Sequence, residues 1–367
     1  MHQGQESTEK YRIVVESIGH ASPASAAAVA KGLGISAAEV IRCLYRAPAV
    51  LVDAIEHHIA LQLVNLLSSI GYQVKLEQQS SPLPACSELF EMAVYLTDAN
   101  QFINASRKLA EFIGTSEQEA GKLLLTPPGT VLGSVSQATV LAFKTQMEGT
   151  VDVIYQPQQQ GLFSLFLGDC PAVVTQRLHH DLQTRGIRTI NQHGLIATDI
   201  PHDQLLEIWQ RHRANAQLRI VNQAFLRYDL TLTDPRDQRS GLALNQTQKQ
   251  LITRLTDIPD DFLDTVLSAT PVALLESVPH ADMIDCLQQF NEANIAIQAD
   301  LITFQMLQLN IIKAPMLKRV NELLASFDIP PVNGPLPQHI ATPLPEIQAR
   351  VIQNAMDQLG IVSELNR

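Results

Sequence analysis

The feature of this sequence that most constrains its fold is an internal repeat. Residues 35–77 align with residues 258–300 without a gap, and a third copy runs through residues 115–155 with a short deletion. The aligned apolar and proline positions are Ile35 with Ile258, Val40 with Leu263, Leu44 with Leu267, Pro48 with Pro271, and Val74 with Ile297. A repeat of this length indicates one supersecondary unit that is used several times in the chain.

Apolar periodicity and turn residues predict the order β-α-α-β-α-β for the first copy. The predicted elements are strands at 11–15, 50–52 and 73–77 and helices at 24–32, 37–45 and 56–69. Ser36 is a good N-cap for the second helix, and Gly71 is a good terminator for the third. The predicted fold class is therefore α/β, with tandem repeats of an α+β sandwich unit.

The same pattern divides the 367 residues into five units. The five units are unit 1 at 11–77, unit 2 at 91–156, a degenerate unit 3 at 162–223, unit 4 at 226–302 and a divergent unit 5 at 303–367. An N-terminal tail at 1–10 precedes unit 1, and a linker at 78–90 follows it. In unit 3, residues 188–199 have an extended pattern where the other units have a second helix. The long linker after unit 1 predicts some freedom there, and the short junction after unit 3 predicts rigid packing.

Composition and charge exclude several classes of function. The net charge of −11 argues against a general nucleic-acid binder, which needs a basic surface to displace counterions. No run of 18 apolar residues is present, so we expect no insertion into a membrane. The four cysteines form no CxxC pair, and residues 1–10 are polar without an apolar signal core. We therefore expect a reducing, cytoplasmic location.

Two segments of unit 1 resemble a known family. Gly32-Leu33-Gly34-Ile35-Ser36 through Ala47-Pro48 and the stretch from Ile59 to Glu77 are similar to the C-terminal domain of the bacterial ribosomal stalk protein. That domain has a G-L-x-L-x-x-A helix start, an S-A-P helix end and a closing G-x-x-V-x-V. The ClpS adaptor of bacterial proteolysis has the same fold. The resemblance covers most of unit 1, and units 2 and 4 more loosely.

The resemblance implies the β-α-α-β-α-β sandwich and a role in docking other proteins. In the stalk domain, lysines on the first helix and at the start of the second helix recruit translation factors. Here the first helix has a single lysine, Lys31, and the second begins Ser36-Ala37-Ala38-Glu39. The recruiting lysines are therefore absent, and the resemblance does not carry this activity over.

Several polar residues are candidates for chemistry, and for each we favour a structural interpretation. They are the pairs His57-His58 and His179-His180, the acidic turn Asp260-Asp261-Asp264, the basic run Arg211-His212-Arg213, Cys170 at a helix start, and the single Trp209. Adjacent histidines on a helix point about 100° apart, and charges at helix ends are explained by the macrodipole. We expect no catalytic residue, no cofactor and no metal ion, so the chain is not predicted to be an enzyme.

The sequence predicts a non-enzymatic scaffold or adaptor that belongs to a larger bacterial assembly and binds partner proteins. The candidate protein-binding residues are Ala24, Ala27, Ala28, Leu33 and Gly34. Small side chains there allow close approach of another backbone, although the same face can instead pack against its own unit. One alternative function is a recruiting or regulatory subunit of a translation or proteolysis system. The other is an enzyme with a site in unit 3 around His193, Asp199 and His202. The oligomeric state stays open.

Overall fold

The computed structural model describes residues 9–85, 88–192, 194–256 and 258–366. The chain forms two compact bodies, Met1–Gln158 and Gln159–Arg367, here called the N-terminal body and the C-terminal body. Both bodies combine α-helices with antiparallel sheets, which confirms the predicted mixed α/β class.

The N-terminal body contains two three-stranded antiparallel sheets, each with three helices. Its strands are β1 Lys10–Ser17, β2 Ala49–Glu56, β3 Gln73–Gln78, β4 Leu89–Tyr95, β5 Thr130–Ser136 and β6 Asp152–Pro157. Its helices are α1 Ala26–Leu33, α2 Ala37–Tyr45, α3 His57–Ser69, α4 Phe102–Ile113, α5 Glu117–Leu124 and α6 Gln137–Met147. The strand orders are β2-β1-β3 and β5-β4-β6, so the first strand of each sheet lies in its centre.

The C-terminal body contains three further sheets. Its strands are β7 Leu162–Leu167, β8 Thr189–Gln192, β9 Leu195–Pro201, β10 Leu218–Asn222, β11 Arg227–Asp237, β12 Val272–Pro279, β13 Ile295–Leu301, β14 Met306–Lys313, β15 Gln338–His339, β16 Leu344–Pro345 and β17 Val362–Asn366. Its helices are α7 Ala172–Thr184, α8 His202–His212, α9 Gln246–Thr256, α10 Asp260–Ser268, α11 His280–Glu292, α12 Leu317–Ser326 and α13 Glu346–Gln358. The sheet orders are β10-β7-β9-β8 and β12-β11-β13, and β14 pairs with β15, β16 and β17.

The order of elements is the same in three stretches of the chain. Units 1, 2 and 4 each run strand, helix, helix, strand, helix, strand. In unit 3 the strand β8 and the start of β9 lie where the others have a second helix, as the extended pattern predicts. Four prolines each stand nine residues before the first residue of the last helix of their unit: Pro48, Pro128, Pro271 and Pro337.

The corner between the first two helices is built by the same local sequence in units 1 and 2. Gly34 and Gly114 end α1 and α4 in the left-handed conformation, with φ of 69° and 72°. Two residues later, Ser36 and Ser116 each form a reciprocal capping box with a glutamate. A glycine stop followed by a serine cap turns the chain sharply, because it satisfies the free backbone groups of both helices.

Units 1 and 2 pack directly against each other despite the linker between them. Tyr45, at the end of α2, donates its hydroxyl to the carbonyl of Phe112 in α4 (3.1 Å). Thr139 of α6 donates its hydroxyl to the carbonyl of Tyr45 (3.0 Å). The freedom expected from the long linker is therefore wrong. A linker length limits how far two units can separate, but the apolar faces they present decide whether they pack.

The sheets of the C-terminal body have their own apolar cores, centred on Leu165, Leu232 and Leu309. Contacts also join the units there. The ring of Phe304, after unit 4, meets Phe166 of β7 edge-on at 4.7 Å and lies under the guanidinium of Arg219. These contacts join unit 3 to unit 5, and the rigid packing of unit 3 with unit 4 stays a prediction.

We expect limited digestion with proteinase K to cut first within residues 83–85. The sequence alone marks both this linker and residues 329–342 as loops, but the structure separates them. Leu83 is 70% exposed, whereas Ile329, Val332 and Ile340 are buried in the core of unit 5. Buried and hydrogen-bonded backbone cannot enter a protease active site without local unfolding. Mass spectrometry of a time course would identify the first cut, and a first cut within 329–342 would contradict this prediction.

Candidate interaction surface

The first helix of unit 1 presents the residues that the sequence predicts to bind a partner. Ala26 and Ala30 point into the unit and are buried, while Ala27 and Ala28 lie on the exposed side of α1. Ala24 and Gly34 are exposed as well, and Leu33 is half-buried. We call Ala24, Ala27, Ala28, Leu33 and Gly34 the corner surface. The alternative that this whole face packs inside its own unit is therefore wrong for its alanines.

The space around Gly32 and Gly34, at the end of α1, is open. A Cβ atom placed on Gly32 or Gly34 would meet no other group within 4 Å. The positive φ of Gly34 disfavours a side chain at that position, whatever the space. A partner backbone can therefore approach this corner closely.

Residues 22–25, which precede the corner surface, contact unit 2. Ser22 donates its hydroxyl to the carbonyl of Glu111 (3.0 Å), and a Cβ on Gly114 would lie only 3.1 Å from the side chain of Pro23. The 3₁₀ turn at 23–25 is thus docked on the end of α4. This contact fixes the start of α1, so its exposed alanines stand on a rigid support.

A buried charge network in unit 3 joins α7 to α8. The carboxylate of Asp181 accepts from Nε2 of His212 (2.9 Å), from Arg211 (2.6 Å) and from Arg185 (3.3 Å). Arg185 also donates to Glu207 (2.7 Å). Burial raises the pKa of Asp181, but the hydrogen bonds from His212 and Arg185 outweigh it, and the pKa lies below its ordinary value. The carboxylate oxygens of Asp181 therefore hold α7 against α8 through these hydrogen bonds.

The basic run Arg211-His212-Arg213 contributes two side chains to this network. We interpret the run from sequence only as cations at a helix end, and two of its three residues in fact bind Asp181. No sequence signal pairs them, because Asp181 lies about 30 residues earlier on another helix.

A second polar cluster lies where unit 3 meets unit 4. In the amide orientation that satisfies both groups, Gln223 donates to the carboxylate of Asp199 (3.3 Å) and accepts from its backbone N–H (2.8 Å). The rings of Tyr228 and His280 lie 5.7 Å apart. Burial raises the pKa of Tyr228 to about 12 and lowers the pKa of His280, on which the charge of Asp199 acts in the opposite direction. Both rings are thus held neutral at neutral pH.

The residues of the alternative site in unit 3 have different surroundings. His193 lies outside the described residues. Asp199 belongs to the cluster with Gln223, and the ring of His202 lies 5.9 Å from that of Phe163. The structure therefore places Asp199 and His202 beside different neighbours, and an enzymatic site in unit 3 stays a prediction.

Unit 4 carries a cleft of about 540 Å³ between α9 and the turn that precedes β13. Its wall includes Asp237, Gln248 and Arg254. The amide of Gln248 donates to Asp237 (2.6 Å) and to the carbonyl of Ala293 (2.8 Å), and Arg254 donates to Gln289 (3.0 Å). Gln248 thus binds other groups of the cleft wall, whereas Arg254 binds a residue outside it.

The other candidate groups have structural neighbours. Asp264 pairs with Lys249 (2.6 Å), the thiol of Cys170 lies 3.2 Å from the Thr175 hydroxyl, and the His57 ring packs on Tyr11 at 4.6 Å. Trp209 is half-buried. Within the described residues, no group of three or more His, Cys, Asp or Glu side chains is arranged to hold a metal ion.

Comparison of this chain with family models, with curated proteins and with solved structures finds no match. Among the described residues, no helix is both long enough and apolar enough to cross a lipid bilayer.

Proposed function

We propose that this chain is a non-enzymatic scaffold or adaptor for other proteins, built of tandem units like the C-terminal domain of the ribosomal stalk protein. The shared element order of units 1, 2 and 4 supports the repeat, as does the proline placed nine residues before the last helix of four units. The glycine stop and serine cap shared by units 1 and 2 support it further.

Tandem arrangement has a physical reason. A unit of about 65 residues buries only a modest fraction of its surface, so its core is marginal alone. Contacts such as those of Tyr45 and Thr139 with the neighbouring unit extend that core. Joined units also present a longer surface than any single unit, which suits a scaffold. Cys43, Cys170 and Cys286 are free thiols, which supports a reducing, cytoplasmic setting as part of this proposal.

The corner surface is the observation that carries the proposed function. Exposed alanines lose almost no side-chain entropy on binding, and they let a partner approach closely. Their rigid support from unit 2 lowers the cost of ordering the surface. A helix face that served only the internal core would have its small residues buried, as Ala26 and Ala30 are.

Replacing Ala27 and Ala28 by glutamate together is expected to reduce partner capture at least about tenfold, because two charges would be placed inside the contact. The measurement is affinity purification of the tagged chain from its native host, with recovered proteins quantified by mass spectrometry. The thermal melt should not change, since both alanines are exposed. The matched control is Ala172→Glu, at an exposed alanine that begins α7.

Equal recovery by the wild type and the double variant would place the interface elsewhere. Recovery of ribosomal or protease components by the wild type alone would favour the recruiting role that the family resemblance suggests.

A further inference from the structure

The outer face of α3 is apolar and exposed. Ile59, Leu66 and Ile70 are 40%, 56% and 37% exposed, and Leu63 between them is half-buried. We call these four residues the α3 seam. Their spacing of four, three and four residues places them along one side of the helix, and it is the spacing at which two helices pack side by side.

No charge interrupts the α3 seam. Of the thirteen α-helices in the described residues, α3 alone contains no Asp, Glu, Lys or Arg. In a chain with a net charge of −11, most surfaces would repel a second copy of themselves. Two α3 helices can meet without bringing like charges together.

The corresponding face of α6 in unit 2 is covered. Each of the two helices begins three residues after a residue with positive φ, which is Ala54 for α3 and Ser134 for α6. Aligning the two helices from these residues pairs Thr139 with Ile59 and Phe143 with Leu63. Thr139 is fully buried, and it contacts the carbonyls of Leu44 and Tyr45. Thus the position that packs against a neighbouring unit in α6, Thr139, is exposed in α3 and carries an isoleucine there.

We propose that two copies of this chain form a homodimer in which their α3 helices pack antiparallel along the seam. A two-fold axis near residues 64 and 65 places Ile59 opposite Ile70 of the second copy and Leu63 opposite Leu66. The antiparallel direction also pairs the helix dipoles favourably. An isologous contact of this kind needs a self-complementary face, and a neutral Ile/Leu seam is one.

The strength of the dimer follows from its size. The seam runs along a helix of 13 residues, which is about 20 Å long. An interface of that length falls at the small end of specific contacts, so we expect a dissociation constant on the order of 1 to 100 µM. This range is accessible to sedimentation velocity of the full chain.

The decisive experiment uses Leu66→Glu and Leu66→Lys in the full chain. Each variant alone should sediment as a monomer at concentrations where the wild type is a dimer. An equimolar mixture of the two should recover the dimer, because the two position-66 side chains lie on either side of the axis, less than one helical turn apart, where unlike charges can pair. The control is Leu141→Glu on α6, where the leucine is 55% exposed, and it should dimerise like the wild type.

Hydrogen exchange of the wild type provides a second measurement that needs no substitution. Amides of α3 should become more protected as the concentration rises, while those of α4 should not change. A wild type that stays monomeric up to about 1 mM would overturn the proposal, as would a dimer that persists in Leu66→Glu or a mixture that stays monomeric. Should a Leu66 variant fail to fold, the exchange result alone decides.

Discussion

Replacing Asp181 by alanine is expected to lower the free energy of unfolding of the C-terminal body by about 2–3 kcal/mol. The substitution leaves His212 without its acceptor and Arg185 with Glu207 alone, and both side chains are largely buried. Breaking a fully buried ion pair costs roughly 3–5 kcal/mol, and we expect less here because Arg211 can turn to solvent. Urea unfolding followed by circular dichroism would measure the loss. Asp234→Ala, which removes an exposed partner of Arg236, is the control and should leave the midpoint unchanged.

The effect of Asp181→Ala should depend on pH. The pKa of Asp181 in the folded chain is below its ordinary value, so its carboxylate stabilises the fold at a pH above the unfolded value of about 3.9. That contribution is lost as the pH falls through the lowered pKa of the folded chain. The difference between wild type and variant should therefore be full at pH 7 and should shrink below about pH 4. A difference that stays constant down to pH 2 would contradict the charge network as its source.

Replacing Phe112 by alanine is expected to destabilise the N-terminal body by about 3–5 kcal/mol, the usual cost of emptying a buried phenylalanine site. Phe112 is 1% exposed, its ring meets Phe143 edge-on at 4.9 Å, and Tyr45 of unit 1 lies 6.3 Å away. Because one side chain touches both units, hydrogen exchange should speed up in unit 1 as well as in unit 2.

Two controls separate the packing of Phe112 from other effects. Tyr45→Phe removes only the hydroxyl that donates to the Phe112 carbonyl and should cost about 1 kcal/mol. Leu141→Ala changes an exposed leucine of α6 and should be close to neutral. If Phe112→Ala accelerated exchange in unit 2 alone, the two units would be stable independently, and the argument that tandem packing extends a marginal core would fail.

Local structure could be predicted from the sequence because short-range interactions determine it. Gly34 and Ser36 specify a helix stop and a helix start through hydrogen bonds to backbone groups within five residues. Apolar periodicity predicts the helices and strands of units 1, 2 and 4, and the extended pattern of unit 3 predicts β8 and β9. The exposure of Ala27 and Ala28 could not be predicted, because the sequence leaves open whether this face of α1 packs inside its own unit.

The sequence by itself thus determined the mixed α/β class and the order of the elements in units 1, 2 and 4. Only the tertiary structure decided that units 1 and 2 pack together, that Asp181 binds Arg211 and His212, and that the α3 seam is uncovered. Each of these facts depends on groups 30 to 95 residues apart, such as Thr139 and Leu44. A linear pattern shows that a face is apolar, but which surface covers it depends on the shape and distance of all its neighbours in the folded chain.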